Sequence, residues 1–156
     1  MNDHTNDTAG VVTLPPLIYT GFLSLGLLLH ALIPIRFLPR TWSKVIGVGL
    51  ISSGITVAGL AIRTMQRAGT PPDPNEPTTA LISKGPFRYT RNPIYVAFTL
   101  IYVGIAALAN SLWTLTLLPA VLAIMQRGVI EREEHYLERK FGDEYRSYKA
   151  RVRRWL

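Results

Sequence analysis

Residues 92–126 read NPIYVAFTLIYVGIAALANSLWTLTLLPAVLAIMQ, a tract of 35 positions without Asp, Glu, Lys or Arg. A helix needs about 20 mostly apolar residues to cross a hydrocarbon core about 30 Å thick. A single helix through this tract would be about 50 Å long. Ala109-Asn110-Ser111, near the middle, reads as a tight turn. It divides the tract into Pro93–Leu108 and Leu112–Gln126. Each half falls slightly short of a full crossing, so the expectation is a close helical hairpin, tilted or set in locally thinned lipid. Pro119 is expected to kink the second half.

Two further tracts, residues 8–35 and 45–62, also lack these four residue types. The three tracts together hold 81 of the 156 residues. Charged residues make up 17% of the chain, where soluble domains average about 25%. An integral membrane protein follows. The first span is expected from about Pro16 to Phe37 and the second from Trp42 to Ile62. The acidic flank of the first, MNDHTNDTAG, argues against a cleaved secretory signal. Gly47, Gly49, Gly54 and Gly59, with Ser52 and Ser53, give the second span a thin face for close packing. The expected architecture is all-α and a single domain over residues 1–156. It has four transmembrane helices, the last two forming a hairpin in the C-terminal half, and an amphipathic cytoplasmic tail.

The net charge of +7 could suggest a nucleic-acid partner, but its distribution argues against one. With four spans, the Arg63–Arg91 segment and the tail share one side and hold 14 of the 17 basic residues. Arg36, Arg40 and Lys44 lie on the other. The excess marks the cytoplasmic face. A bacterial inner-membrane protein with both termini in the cytoplasm is expected. No basic stripe with interleaved aromatics forms a reading motif outside the tail. No obligate protein partner is indicated. The absence of cysteine removes disulfides, thiolate nucleophiles and cysteine metal sites. His30, inside the first span, is expected to make an interfacial or helix–helix hydrogen bond. His4 and His135 are too scattered to form a metal site with it.

Residues 69–80, GTPPDPNEPTTA, hold four prolines and read as an extended crossover. In LISKGPFRYTRNPIY, residues 81–95, Asn92 suits an N-cap and Pro93 a first helical position. Lys84, Arg88 and Arg91 crowd a helix start that already carries a positive dipole end, which calls for an anionic group there. Downstream, Ile130, Leu137, Phe141, Tyr145, Tyr148, Val152 and Trp155 share one helical face, with a bend expected at Gly142. Glu131, Glu133 and Glu134 follow the last apolar tract.

GPFRYTRNPIY followed by EREEHYLERKFGDEYRSYKARVRRW resembles the isoprenylcysteine carboxyl methyltransferase family, which is related to the phospholipid N-methyltransferases. The resemblance covers residues 81–156. It implies a membrane enzyme that uses S-adenosylmethionine, held between the membrane hairpin and the cytoplasmic tail. Carried over, Arg88 and Tyr89 match the lead-in of the first cofactor motif, and Arg91, Asn92, Pro93 and Tyr95 its body. Glu133 and Glu134 match the paired glutamates of the second. Leu137, Phe141, Gly142, Tyr145 and Tyr148 match the C-terminal box. Arg91, Asn92 and Glu134 are the expected catalytic residues. The chain departs from the pattern at Asn92, where many relatives have histidine, and at Val152-Arg153-Arg154, where Val-Pro-Arg is frequent. Asparagine cannot shuttle a proton near neutral pH, which favours an acceptor that needs none removed. The implied function is methyl transfer to a lipidic or membrane-associated acceptor, such as a carboxylate. A small transporter would need an acid inside a span, and none is present. A non-catalytic membrane scaffold would need the spans but no organised pocket.

Overall fold

The computed structural model describes residues 8–73 and 76–156, and its regular elements there are all helical. His4 and most of the acidic N-terminal flank lie outside the described residues. Helix α1 spans Pro15–Leu32, α2 Arg40–Arg67, α3 Pro93–Leu108 and α4 Leu112–Met125. One π-helical turn, Gln126–Ile130, carries α4 into α5, Glu131–Phe141. Helix α6, Asp143–Arg151, follows a sharp bend at Gly142. The bend falls where the tail periodicity predicts it. Gly142 has φ +53° and ψ −124°, a backbone that strongly favours glycine.

The expected set of four membrane spans with a C-terminal hairpin is not what forms. Among the described residues, three helices are long and apolar enough to cross a membrane: Pro15–Leu32, Arg40–Arg67 and the continuous Leu112–Phe141. The 16-residue α3 is about 24 Å long, shorter than a hydrocarbon core of about 30 Å. The turn at Ala109-Asn110-Ser111 exists: Asn110 takes φ +52°, and the Ser111 side chain caps α4 by accepting from the Thr114 amide. The two helices it joins nevertheless pack mainly on other partners, α3 on α2 and α4 on α1.

Backbone approach explains that choice. A Cβ at Gly47 would lie 2.8 Å from Leu108, and one at Gly54 would lie 2.8 Å from the Ala97 carbonyl. A Cβ at Gly104 would meet Ile51 at 2.8 Å. Gly47, Gly54 and Gly104 thus let α2 and α3 touch along their backbones. Gly49 and Gly59 have nothing within 4 Å and face away from this seam. Helix α4 outruns its apolar stretch because charge ends hydrophobicity at Arg127 without ending the helix.

The turns at one end are tied together. Asn110 Oδ1 accepts from the Phe37 and Leu38 amides, each at 3.0 Å, and its Nδ2 donates to the Leu38 carbonyl at 2.7 Å. The α1–α2 and α3–α4 connections therefore lie side by side. The start of α3, α5, α6 and the described residues of the connection, 69–73 and 76–92, gather at the opposite end. His30 Nδ1 is buried with no hydrogen-bond partner among the described residues.

Replacing Gly47 by Val should lower thermal stability in detergent by about 1–3 kcal/mol through overpacking of the α2–α3 seam. Gly49→Val should leave the melting temperature nearly unchanged. Thermal unfolding of the two purified variants checks the contrast.

Candidate functional site

The first turn of α3 and the first turn of α5 meet beneath residues 70–73 and 78–82 of the α2–α3 connection. Arg91, Asn92, Pro93 and Tyr95 line one side of a cleft, and Glu133, Glu134, Tyr136 and Leu137 line another. Tyr145 and Tyr148 of α6 close it from the tail side. Thr70, Pro71, Pro72, Thr78 and Leu81 cross it from the connection, and Ala9 reaches it from the N-terminal segment.

Glu134 is 5% exposed and sits between two guanidinium groups. Arg91 Nη2 donates to its Oε1 at 2.8 Å. Arg154 grips both oxygens, Nε to Oε1 at 3.0 Å and Nη2 to Oε2 at 2.7 Å. Arg154 also stands 3.6 Å from Glu131. Desolvating a carboxylate is expensive unless it is paired and hydrogen-bonded, and both conditions hold here. Arg91 uses Nη1 on the Lys149 carbonyl at 3.2 Å, while its Nε is buried with no partner among the described residues. Glu133 makes a different contact: Tyr95 donates its phenol to Glu133 Oε1 at 2.5 Å. The two glutamates are neighbours in sequence but have separate partners, as an angular offset of about 100° per residue requires.

Asn92 begins α3, but the expected side-chain cap is absent. Its Nδ2 donates instead to the Arg154 carbonyl at 2.8 Å, where Thr90 Oγ1 also donates at 3.1 Å. The Arg91 amide donates to the Arg153 carbonyl at 2.9 Å. Residues 90–92 thereby bind the last turn of the chain, a task that draws the Asn92 amide away from the helix start. Tyr148 donates to the Phe87 carbonyl at 2.7 Å. Burial pushes the Tyr148 phenol up to about 12, with nearby Arg91 pulling the other way. Burial also raises Tyr145. Both rings are therefore neutral donors near neutral pH.

Six of the eight expected cofactor residues thus share one cleft: Arg91, Asn92, Pro93, Tyr95, Glu133 and Glu134. Arg88 and Tyr89 do not line it. Tyr89 is 65% exposed, and the Arg88 guanidinium stacks 4.9 Å above its ring. Sequence reasoning passed over Arg154 and the crossover. The only available signal for Arg154 was its place in the unusual Val152-Arg153-Arg154 ending. The prolines of the crossover marked it as extended without showing that it roofs a cleft.

An all-helical membrane protein with this polar cleft at one end belongs to a recognisable class. The phospholipid methyltransferase family matches residues 42–144, and the chain belongs to that family. It is a methyltransferase enzyme, and the family implies S-adenosylmethionine as methyl donor. An uncharacterized protein of Haemophilus influenzae is 59% identical over 49 residues, 31% of this chain and 76% of that protein. The nickel-cobalt-cadmium resistance protein NccN of Alcaligenes xylosoxydans xylosoxydans is 34% identical over 75 residues, 48% of this chain and 35% of that protein. No solved structure matches the chain. Among the described residues no three His, Asp or Glu side chains gather in a way that could hold a metal ion.

Asn92→Ala should loosen the tail, since it removes a hydrogen bond worth about 0.5–1.5 kcal/mol. Limited trypsin digestion should then cleave after Arg151 or Arg153 faster than in the parent, while cleavage elsewhere keeps its rate.

Proposed function

We propose that the cleft between α3, α5 and α6 binds S-adenosylmethionine and passes its methyl group to a lipidic acceptor, favouring a carboxylate. The finer resemblance to isoprenylcysteine carboxyl methyltransferases belongs to this reading. The observation that carries it is the buried, unpartnered Nε of Arg91, a residue lining a cleft that is also lined by Glu133 and four tyrosines, Tyr95, Tyr136, Tyr145 and Tyr148. That set fits a donor with a carboxylate, an ammonium, a ribose and an adenine. Arg91 would take the carboxylate. Glu133, held by Tyr95 alone, would take the ammonium or ribose hydroxyls. Tyr95, Tyr145 and Tyr148 supply aromatic and hydroxyl surface around them. The bound donor supplies an electrophilic methyl on a sulfonium.

The protein's own residues then have limited chemical work. A carboxylate acceptor attacks the methyl carbon as its bond to sulfur breaks, giving a methyl ester and a neutral thioether with no proton to remove. Asn92, which cannot act as a base, suits this balance. Glu134 fixes the Arg91 guanidinium, and Asn92 fixes the tail that completes the wall. The crossover roof and the three tyrosines exclude water. Alignment and desolvation are the main demands of such a displacement.

A second cleft supports a lipidic acceptor. Val96, Leu100, Leu122 and Ala123 of α3 and α4, with Trp155 and Leu156, form an apolar groove whose polar end is Thr99, Gln126 and Arg127. It opens on helices of the membrane-embedded part and shares α3 with the donor cleft. The placement of 14 basic residues at the donor-cleft end supports a cytoplasmic orientation for that end in a bacterial inner membrane.

Detergent-purified protein should bind S-adenosylmethionine saturably. Arg91→Ala and Glu133→Gln should each weaken binding by about tenfold or more, the scale of one charge-assisted contact. Isothermal titration checks this, and a parent protein without saturable binding would overturn the reading.

A further inference from the structure

Arg154 lies beyond the stretch that matches the family, residues 42–144, yet it makes the most extensive contact with the buried glutamate. Its fork fills Oε2 of Glu134 and shares Oε1 with Arg91. Arg91 therefore reaches the carboxylate through one nitrogen only, and its Nε stays unpaired. A guanidinium and a carboxylate otherwise prefer two parallel hydrogen bonds. Without the Arg154 fork, Oε2 of a buried carboxylate would be left open. Arg91 would turn to fill it, and its Nε would become paired with Glu134.

We propose that Arg154 is a positioning residue for the methyl donor: by saturating Glu134 it prevents a two-point Arg91–Glu134 pair and leaves Arg91 Nε unpaired by protein, to be paired by the donor's carboxylate when the donor binds. The inference rests on the reading that Arg91 holds that carboxylate. The backbone around Arg154 adds to the effect, because its carbonyl anchors Thr90 and Asn92 on either side of Arg91. Lysine cannot reproduce the fork, since it offers a single charged nitrogen.

The test compares two donors on detergent-purified protein, S-adenosylmethionine and its decarboxylated analogue. Arg154→Ala should weaken S-adenosylmethionine binding about tenfold, one charge-assisted hydrogen bond, while the analogue changes less than about twofold. Arg154→Lys should fall between parent and alanine variant for the first donor and match the parent for the second. Arg153→Ala is the control, because residue 153 contributes its carbonyl to the contact and its side chain is exposed. Equal losses for the two donors would mean that Arg154 only supports the fold, and unchanged binding of both would mean that it does not act on Arg91; either overturns the inference. If the parent binds the analogue but shows no preference for the donor with a carboxylate, Arg91 is misassigned and this inference falls with that assignment. If the parent binds neither donor, the proposed function fails as well.

Discussion

The buried carboxylate of Glu134 is the point on which the functional end of this protein depends. It cannot remain charged in a desolvated position without partners, and its partners come from two distant parts of the chain. Arg91 precedes it by 43 residues and Arg154 follows it by 20. Satisfying one charge therefore draws the start of α3, the start of α5 and the last turn of the chain to one place. The cleft is what remains between them. Glu133, one residue away, points to a different partner and, among the described residues, accepts from the Tyr95 phenol. The different partners of the adjacent glutamates follow from helix geometry: Glu134 is held between Arg91 and Arg154, while Glu133 pairs with Tyr95.

The membrane half of the molecule serves this arrangement by close backbone contact. Gly47, Gly54 and Gly104 set α3 against α2. Tyr19 of α1 hydrogen-bonds Thr99 of α3 at 2.8 Å and packs edge-on against Phe98 and Tyr102. The rigid seam fixes where α3 begins, and therefore where Arg91 and Tyr95 stand. At the other end of the helices, the Asn110 side chain ties the two turns and prevents α3 from sliding. A short α3 brings its polar start and the apolar α3–α4 groove close together. That arrangement suits the proposed transfer from a water-soluble donor to a lipidic acceptor.

Much of this was legible in the residues. The charge-free tracts mark the membrane helices, and the Ala109-Asn110-Ser111 break falls where the α3–α4 turn forms. The pairing of the helices was not legible. Glycines signal that a helix will be approached closely but do not name the approaching helix, so α3 and α4 were expected to pair with each other. Nor does a run of charges after Gln126 reveal whether a helix has stopped or has only left the lipid. In the site, the likeness of two motifs to a methyltransferase pattern brought Arg91 and the twin glutamates to notice. Periodicity could not have paired residues 43 positions apart. Asn92 shows the limit of local rules: its position suits a cap, but its Nδ2 donates to a carbonyl of the tail, and the side chain so held does not bring its Oδ1 to the helix amides. Beyond its place in the Val152-Arg153-Arg154 ending, Arg154 carried no signal, because its role exists only after the tail has folded back.

The claim that one buried charge assembles the cleft is tested most directly by a double-mutant cycle on thermal unfolding, using Arg91→Ala, Glu134→Ala and the combined variant. The account predicts strong non-additivity. Losing Arg91 leaves a buried carboxylate short of a partner, so the single variants should each be destabilised and the combined variant should lose much less than their sum, with a coupling of about 1–3 kcal/mol. Strictly additive losses would show that the two side chains do not sense one another, and would contradict the account.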